Sequence, residues 1–156
     1  MGHGGTLDSF ATGVMIIGVG SQTKALTAFL EGEKEYVAKG IFGIETETLD
    51  PIGKVTKELP YSHISKDKLL EVLNQFKGVT MQKPPSFSAK NISGQRAYEL
   101  ALRGVDVQSL VKERQIEISR LDLLSFEPPY FDISITCSGG TYVRSLIADI
   151  SKKLDW

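Results

Sequence analysis

Asp8 stands in Gly4-Gly5-Thr6-Leu7-Asp8-Ser9, a glycine-rich loop that leads into an apolar stretch. Glycines let a backbone approach a ligand closely. A carboxylate held in such a loop can act as a nucleophile or as a general base. The same pattern also fits a turn acid that accepts hydrogen bonds from its own backbone. Arg144 closes Ser138-Gly139-Gly140-Thr141-Tyr142-Val143-Arg144, a glycine turn running into a helical pattern. An arginine there can grip a carboxylate through two parallel hydrogen bonds and hold it in its charged form, or it can be an ordinary surface arginine. Tyr36, early in an alternating segment, is either a stacking platform for a base or a core aromatic. His3 and His63 are too few and too far apart in sequence for a metal site. The glycine loops carry neither the Gly-Lys-Ser/Thr of a phosphate loop nor a strand–GxGxxG–helix order. Pro84-Pro85-Ser86 reads as a kinked loop, too short for a proline-helix ligand.

These side chains need a scaffold, and 156 residues fit one domain. Hydrophobic residues make up 41% and charged residues 24%, a globular and not a disordered composition. Eighteen basic residues against nineteen acidic ones leave a formal charge of −1, which excludes a simple polycation that binds nucleic acid by charge alone. The single cysteine, Cys137, excludes an internal disulfide framework and a cysteine-based zinc site, and points to a reducing compartment. No apolar run approaches the ~20 residues of a membrane span.

Gly13 to Gly20 is apolar and bounded by glycine, which predicts a buried strand. Ser21 is placed to cap a helix over Gln22 to Leu30 that Gly32 stops. Lys34 to Ile44 alternates as a strand, with Tyr36, Ala38, Gly40 and Phe42 on one face. Glu45 to Gly53 has turn and loop chemistry. Ser65-Lys66-Asp67-Lys68 is a weak capping box before a helix through Leu69, Leu70, Val72, Leu73 and Phe76, with Gly78 after it. Gln95 to Leu102 reads as a short helix ending at Gly104. Arg114 to Ser125 and Tyr130 to Cys137 alternate as two adjoining strands with Pro128-Pro129 at the bend. Val143 to Leu154 is an amphipathic helix. Strands and helices mix without a βαβ rhythm, so the expected fold class is α+β, with a mixed, largely antiparallel sheet flanked by helices. Charge is uneven. Lys77 to Arg103 holds five bases against one acid, interleaved with Phe87 and Tyr98, the composition of a surface that tracks phosphates and stacks bases. Glu31 to Glu71 holds nine acids against six bases.

Five segments, in order along nearly the whole chain, together resemble the TruB-type pseudouridine synthases. They are Gly2-His3-Gly4-Gly5-Thr6-Leu7-Asp8 with Ala11-Thr12-Gly13-Val14, Lys34-Glu35-Tyr36, Thr46-Glu47-Thr48-Leu49-Asp50-Pro51-Ile52-Gly53, Pro84-Pro85-Ser86-Phe87-Ser88-Ala89-Lys90 with Gly94-Gln95-Arg96-Ala97-Tyr98, and Cys137-Ser138-Gly139-Gly140-Thr141-Tyr142-Val143-Arg144-Ser145-Leu146. The Gly-Gly-Thr-Leu-Asp-Ser wording and Phe126-Glu127-Pro128-Pro129 look most like the eukaryotic branch. Ser9 stands where many members have proline.

The resemblance implies an isomerase that flips a uridine out of an RNA stem-loop, breaks its N-glycosidic bond, rotates the base and rejoins it through carbon. It implies no redox cofactor, nucleotide or metal. Asp8 is then the catalytic carboxylate, Arg144 its partner, and Tyr36 the residue stacked on the flipped base, with a share in proton transfer left open. Tyr142 would pack beneath the site, and His3, Lys24, Lys90 and Arg96 would touch RNA. The implied partner is the T arm of tRNA, with similar mRNA stem-loops as further substrates, read as a folded shape with splayed loop bases. The alternative is an inactive RNA-binding module of the same fold; a globular domain without any RNA role is the third reading. Family members extend beyond both ends of this chain, so residues 1–156 are expected to form one partial catalytic domain, without a C-terminal RNA-binding domain and prone to self-association through exposed sheet edges. An intracellular location is implied, with nucleus, cytoplasm and mitochondrion all open.

Overall fold

Phe131, Ile133 and Ile135 alternate with polar residues along Tyr130–Cys137, and this strand is the spine of the molecule. A computed structural model describes residues 1–85, 91–92, 95–96, 103–104 and 112–154. In chain order the elements are β1 (Gly2–His3), β2 (Ile17–Gly18), a 3₁₀ turn (Gly20–Ala25), α1 (Leu26–Glu31), β3 (Lys34–Ile41), β4 (Ile44–Thr46), β5 (Val55–Glu58), α2 (Lys66–Phe76), β6 (Gly78–Gln82), β7 (Asn91–Ile92), β8 (Gln95–Arg96), β9 (Arg114–Glu127), β10 (Tyr130–Cys137) and α3 (Val143–Lys153). The central sheet has the order β3-β10-β9-β6, with every pairing antiparallel. The α+β architecture with a largely antiparallel sheet and flanking helices is therefore the observed one.

Register places the inward side chains in rows: Ile135 faces Tyr36 on one side and Leu121 on the other. Ile116, Ile118, Leu121, Phe131, Ile133, Ile135 and Cys137 are buried under α2 and α3, which contribute Leu69, Val72, Leu73, Leu146, Ile150 and Leu154. Each helix forms for a local reason. The Ser65 side chain caps α2 by accepting from the Lys68 N–H at 3.2 Å. In α3, Leu146, Ile150 and Leu154 recur every four residues, and Lys152 and Lys153 sit in the last turn, where the helix dipole favours cations. Gly40 makes room for the core's largest ring. A Cβ there would lie 2.2 Å from Phe131, whose ring stacks on Phe42 at 4.6 Å between centroids.

Four sequence expectations are corrected. Gly13 to Gly20 is not a buried strand: only Ile17–Gly18 pairs, with Gly2–His3, and Val14 is 91% exposed. A short apolar run becomes a buried strand only where two faces cover it, and among the described residues only Gly18, against Leu26, is buried in this one. Ser21 does not cap the first helix. The chain enters through a 3₁₀ turn after Val19, with no side-chain cap. Gln95–Arg96, expected to open a helix, is instead a strand paired with Asn91–Ile92; the rest of that predicted helix lies outside the described residues, as do Phe87 and Tyr98. The segment read as pure loop from Glu45 contributes Glu45 and Thr46 to a hairpin of β4 and β5, whose connection matters below.

Candidate active site

The opening glycine segment and the start of α3 meet over the edge of the sheet. Gly4 donates to the Ile16 carbonyl at 2.8 Å, closing the first loop, and Ala11 donates to the Asp8 carbonyl at 2.9 Å. This leaves the Asp8 side chain 43% exposed while Arg144, in the first turn of α3, is only 9% exposed. The two form the parallel pair that arginine's fork allows: Nε lies 2.8 Å from Oδ2, and the second terminal nitrogen donates to Oδ1 at 3.2 Å. The surface-arginine and turn-acid alternatives are thereby set aside. The guanidinium reaches out from a buried position and grips a carboxylate that faces solvent.

Arg144 has a second set of contacts that the sequence reading missed. Its other terminal nitrogen donates to the Thr48 carbonyl at 2.9 Å and lies 4.0 Å from Asp50 Oδ2. Thr48 and Asp50 belong to the loop between β4 and β5, which holds itself in shape. Asp50 Oδ1 accepts from the Thr48 hydroxyl at 2.6 Å and from the N–H groups of Ile52 and Gly53 at 2.9 and 3.1 Å. Thr46 Oγ1 donates to the Asp50 carbonyl at 2.7 Å and accepts from the Asp50 N–H at 3.0 Å. Leu49 takes a left-handed φ of 57°, a conformation that costs about 1 kcal/mol and that the surrounding bonds hold in place. The signal for this loop was present in Thr-x-Thr-x-Asp-x-x-Gly, whose short polar side chains are spaced to bond their own backbone. Its contact with an arginine 96 residues away was not.

Burial raises the Asp50 carboxyl, but the hydrogen bonds from Thr48, Ile52 and Gly53 and the Arg144 charge outweigh it and hold the group below the ordinary carboxylate range. A folded-state pKa below the unfolded value stabilises above the unfolded pKa and is lost as pH falls through the folded one. The stability advantage of wild type over Asp50→Asn is therefore expected to be full above about pH 4 and to shrink steadily below it. Urea midpoints of both proteins from about pH 6 to about pH 2.5 check this; parallel curves would show that Asp50 carries no such linkage.

Tyr36 faces inward on β3, half-buried and packed against the core. Burial raises its phenol above the usual value, and the neighbouring Cys137 and Asp8 charges add to the shift. It is thus a neutral hydroxyl at physiological pH, close enough to Asp8 to feel its charge. Tyr142 immediately precedes α3 and is partly exposed. His3 is exposed in β1, and its Nδ1–H donates to the Gly5 carbonyl at 2.7 Å. Lys24 is exposed in the 3₁₀ turn. Lys90 lies outside the described residues, and Arg96 is described only as part of β8. The structure thus joins Asp8 and Arg144, adds Thr48 and Asp50, leaves Tyr36 within electrostatic reach of Asp8, and puts His3 in the same opening glycine segment as Asp8. No group of three metal-ligating side chains is found among the described residues, and none of the described helices is long and apolar enough to cross a membrane.

Comparison with known proteins places this arrangement in context. Residues 1–143 match the family described as TruB family pseudouridylate synthase (N terminal domain). The chain is 45% identical to pseudouridylate synthase TRUB1 of Homo sapiens over 99% of its own length and 44% of that protein's. It is 42% identical to tRNA pseudouridine synthase B of Mycoplasma mobile, over 99% of this chain and 54% of that one. The chain therefore spans about half the length of these curated relatives. Among solved structures, a Cbf5-Nop10-Gar1 complex contains a chain that superposes with a TM-score of 0.65 at 27% identity, covering 98% of this chain and 35% of that one. With five sequence motifs in order, a family match across almost the whole length and the same catalytic-domain fold, the chain belongs to the TruB family of pseudouridine synthases.

Proposed function

We propose that this chain isomerises uridine to pseudouridine in RNA, with the T-loop of tRNA as its principal substrate and similar mRNA stem-loops as further ones. The observation that carries the reading is the Asp8–Arg144 pair: an accessible carboxylate aimed by a buried guanidinium, in a chain of this family. The reaction moves the C1′ bond of the sugar from N1 to C5 of the uracil; N1 gains a proton and C5 loses one, so atoms and electrons balance without an external reagent. Asp8 is the group that engages the flipped nucleotide. Arg144 positions it, and Tyr36, neutral and half-buried, stacks on the extruded base. Extruding a base costs a few kcal/mol, offset by stacking and by phosphate contacts that the basic residues supply. His3, Lys24, Lys90 and Arg96 are assigned to the RNA backbone, and Tyr142 to the floor of the site. Val14, Ile17 and Val19 stay exposed, and self-association through this apolar arm is part of the proposal.

The test is conversion of an unmodified tRNA transcript, followed by carbodiimide labelling and mass spectrometry, with an isolated T-arm stem-loop and an mRNA stem-loop of similar shape alongside. Product at the T-loop uridine of both tRNA substrates is the expected result. Salt-dependent binding without product would identify an RNA-binding module instead, and absence of both would overturn any RNA role.

A further inference from the structure

Five polar or charged side chains are buried among the described residues, and four of them, Gln82, Thr141, Arg144 and Ser145, belong to one joint where the end of β6 meets the start of α3. Gln82 is the member that comes from far away in sequence. It is the last residue of β6, is 2% exposed, and directs its carboxamide at the backbone of Tyr142. The Tyr142 N–H donates to Oε1 at 2.8 Å, and Nε2 donates to the Tyr142 carbonyl at 3.0 Å. The amide thus pairs with one residue's backbone as a neighbouring strand would, and Tyr142, with φ −100° and ψ 113°, has the extended conformation that accepts such a partner. The same carbonyl takes the first helical bond, from Leu146 at 3.1 Å. Tyr142 offers no side-chain cap of its own. Gln82 therefore satisfies the N–H of the N-cap residue from outside the helix, the bond that the glutamate of a capping box would otherwise make.

We propose that Gln82 is a positioning residue: by fixing the backbone at Tyr142 it sets where α3 begins, and so where Arg144, two residues on, delivers its guanidinium to Asp8. The kinetic consequence rests on the proposed isomerase activity; the structural one does not. The other side of the joint is pinned separately, by Glu117 donating to Ser138 Oγ at 2.9 Å and by Thr141 Oγ1 donating to the Ser138 carbonyl at 2.8 Å. It is also crowded: a Cβ on Gly139 would lie 2.4 Å from the Leu30 carbonyl oxygen. The loop before α3 is thus held in place without Gln82, and what Gln82 adds is the last fixed point before the arginine. A side chain that bears a reacting group need shift by only about 1 Å to lose on the order of 10²-fold in rate.

Two substitutions test this. Gln82→Met keeps the volume and removes both bonds. It is expected to lower kcat by about 10- to 100-fold with KM for RNA changed by less than about twofold. It is also expected to speed hydrogen exchange of the Arg144 Nε–H, read by NMR, by about tenfold or more. Gln82→Glu is the informative partner. As a carboxylate it sets an acceptor against the Tyr142 carbonyl, but as a carboxylic acid it restores both bonds, its O–H donating to that carbonyl and its C=O accepting from the N–H. Among the described residues, the charged groups on the elements beside it are Arg114, its register partner on β9, whose guanidinium lies against Gly140, and Arg144 in the first turn of α3. The ratio of Gln82→Glu to wild-type kcat is expected to rise as pH is lowered from about 8 to about 5.5, with Nε–H exchange slowing in parallel, while the Gln82→Met ratio stays flat. Wild-type kcat and wild-type exchange in a folded Gln82→Met protein would overturn the proposal, as would a loss confined to KM. Wild-type protein that converts no uridine would refute the proposed activity alone, and the exchange measurement would then decide the role of Gln82.

Discussion

Asp8→Asn is expected to abolish pseudouridine formation, by roughly 10⁴-fold or more, while changing RNA affinity by only a few-fold and stability by less than about 1 kcal/mol. The separation of these three quantities follows from the geometry. Asp8 is 43% exposed, so its pairing with Arg144 is partly screened by water and contributes modestly to folding. Removing its charge does not orphan the arginine, which keeps the Thr48 carbonyl at 2.9 Å and the nearby Asp50. Asparagine preserves the shape of the side chain but offers a single acceptor oxygen, so it satisfies one of the two donors now directed at Oδ1 and Oδ2 and presents its own N–H₂ to the other. It also supplies neither a nucleophile nor a base. On the proposed function, affinity is held by basic residues elsewhere, and loss of a negative charge does not weaken contacts to phosphates. Turnover of tRNA transcript, thermal melting and filter binding on the same preparation measure all three. A variant retaining more than about a tenth of wild-type turnover would remove Asp8 from the chemistry.

Asp8 and Arg144 were legible as candidates because glycine runs flank them, and glycine runs mark places where a backbone bends or approaches closely. Their meeting was not legible from composition or periodicity. They lie 136 residues apart, and only the ordered set of family motifs joined them in advance. Alternation found three strands because each has one face on the core and one toward solvent, but not all their ends: the strand expected over Lys34 to Ile44 stops at Ile41, and the one expected over Arg114 to Ser125 runs on to Glu127. Gly13 to Gly20, read as a buried strand from its apolar run alone, failed because such a run states a preference for burial without saying what provides the cover. Asp50 was read as turn chemistry, correctly, yet a turn acid and an arginine anchor use the same residue types. Gln82 had no signal at all: one amide ahead of Pro84-Pro85 becomes informative only when the fold sets it against Tyr142. Local rules recover elements, and the long-range polar contacts that assemble this site are the part they do not reach.

Arg144→Met is expected to remove activity by about 10³-fold and, unlike Asp8→Asn, to lower stability, by on the order of 2 kcal/mol. Methionine fills much of the same volume, so the loss is polar. The guanidinium is 9% exposed and, among the described residues, joins Asp8, the Thr48 carbonyl and Asp50. Without it the Thr48 carbonyl loses a donor in a partly buried place, and the Asp50 carboxylate loses its nearest cation. The penalty stays well below that of a fully buried unpaired charge, because Asp50 Oδ1 keeps its bonds from Thr48, Ile52 and Gly53. Arg144→Lys separates charge from geometry. A lysine carries the charge as a single point and cannot give two parallel bonds to Asp8 while also reaching Thr48, so it should recover part of the stability and little of the rate. The decisive comparison is the double variant with Asp8→Asn. If Arg144 works by aiming Asp8, its loss costs nothing further once Asp8 is gone, and the double variant is no slower than Asp8→Asn alone. Losses that multiply would instead mean that Arg144 acts on the RNA independently, and the pair would have to be divided into two separate sites of action.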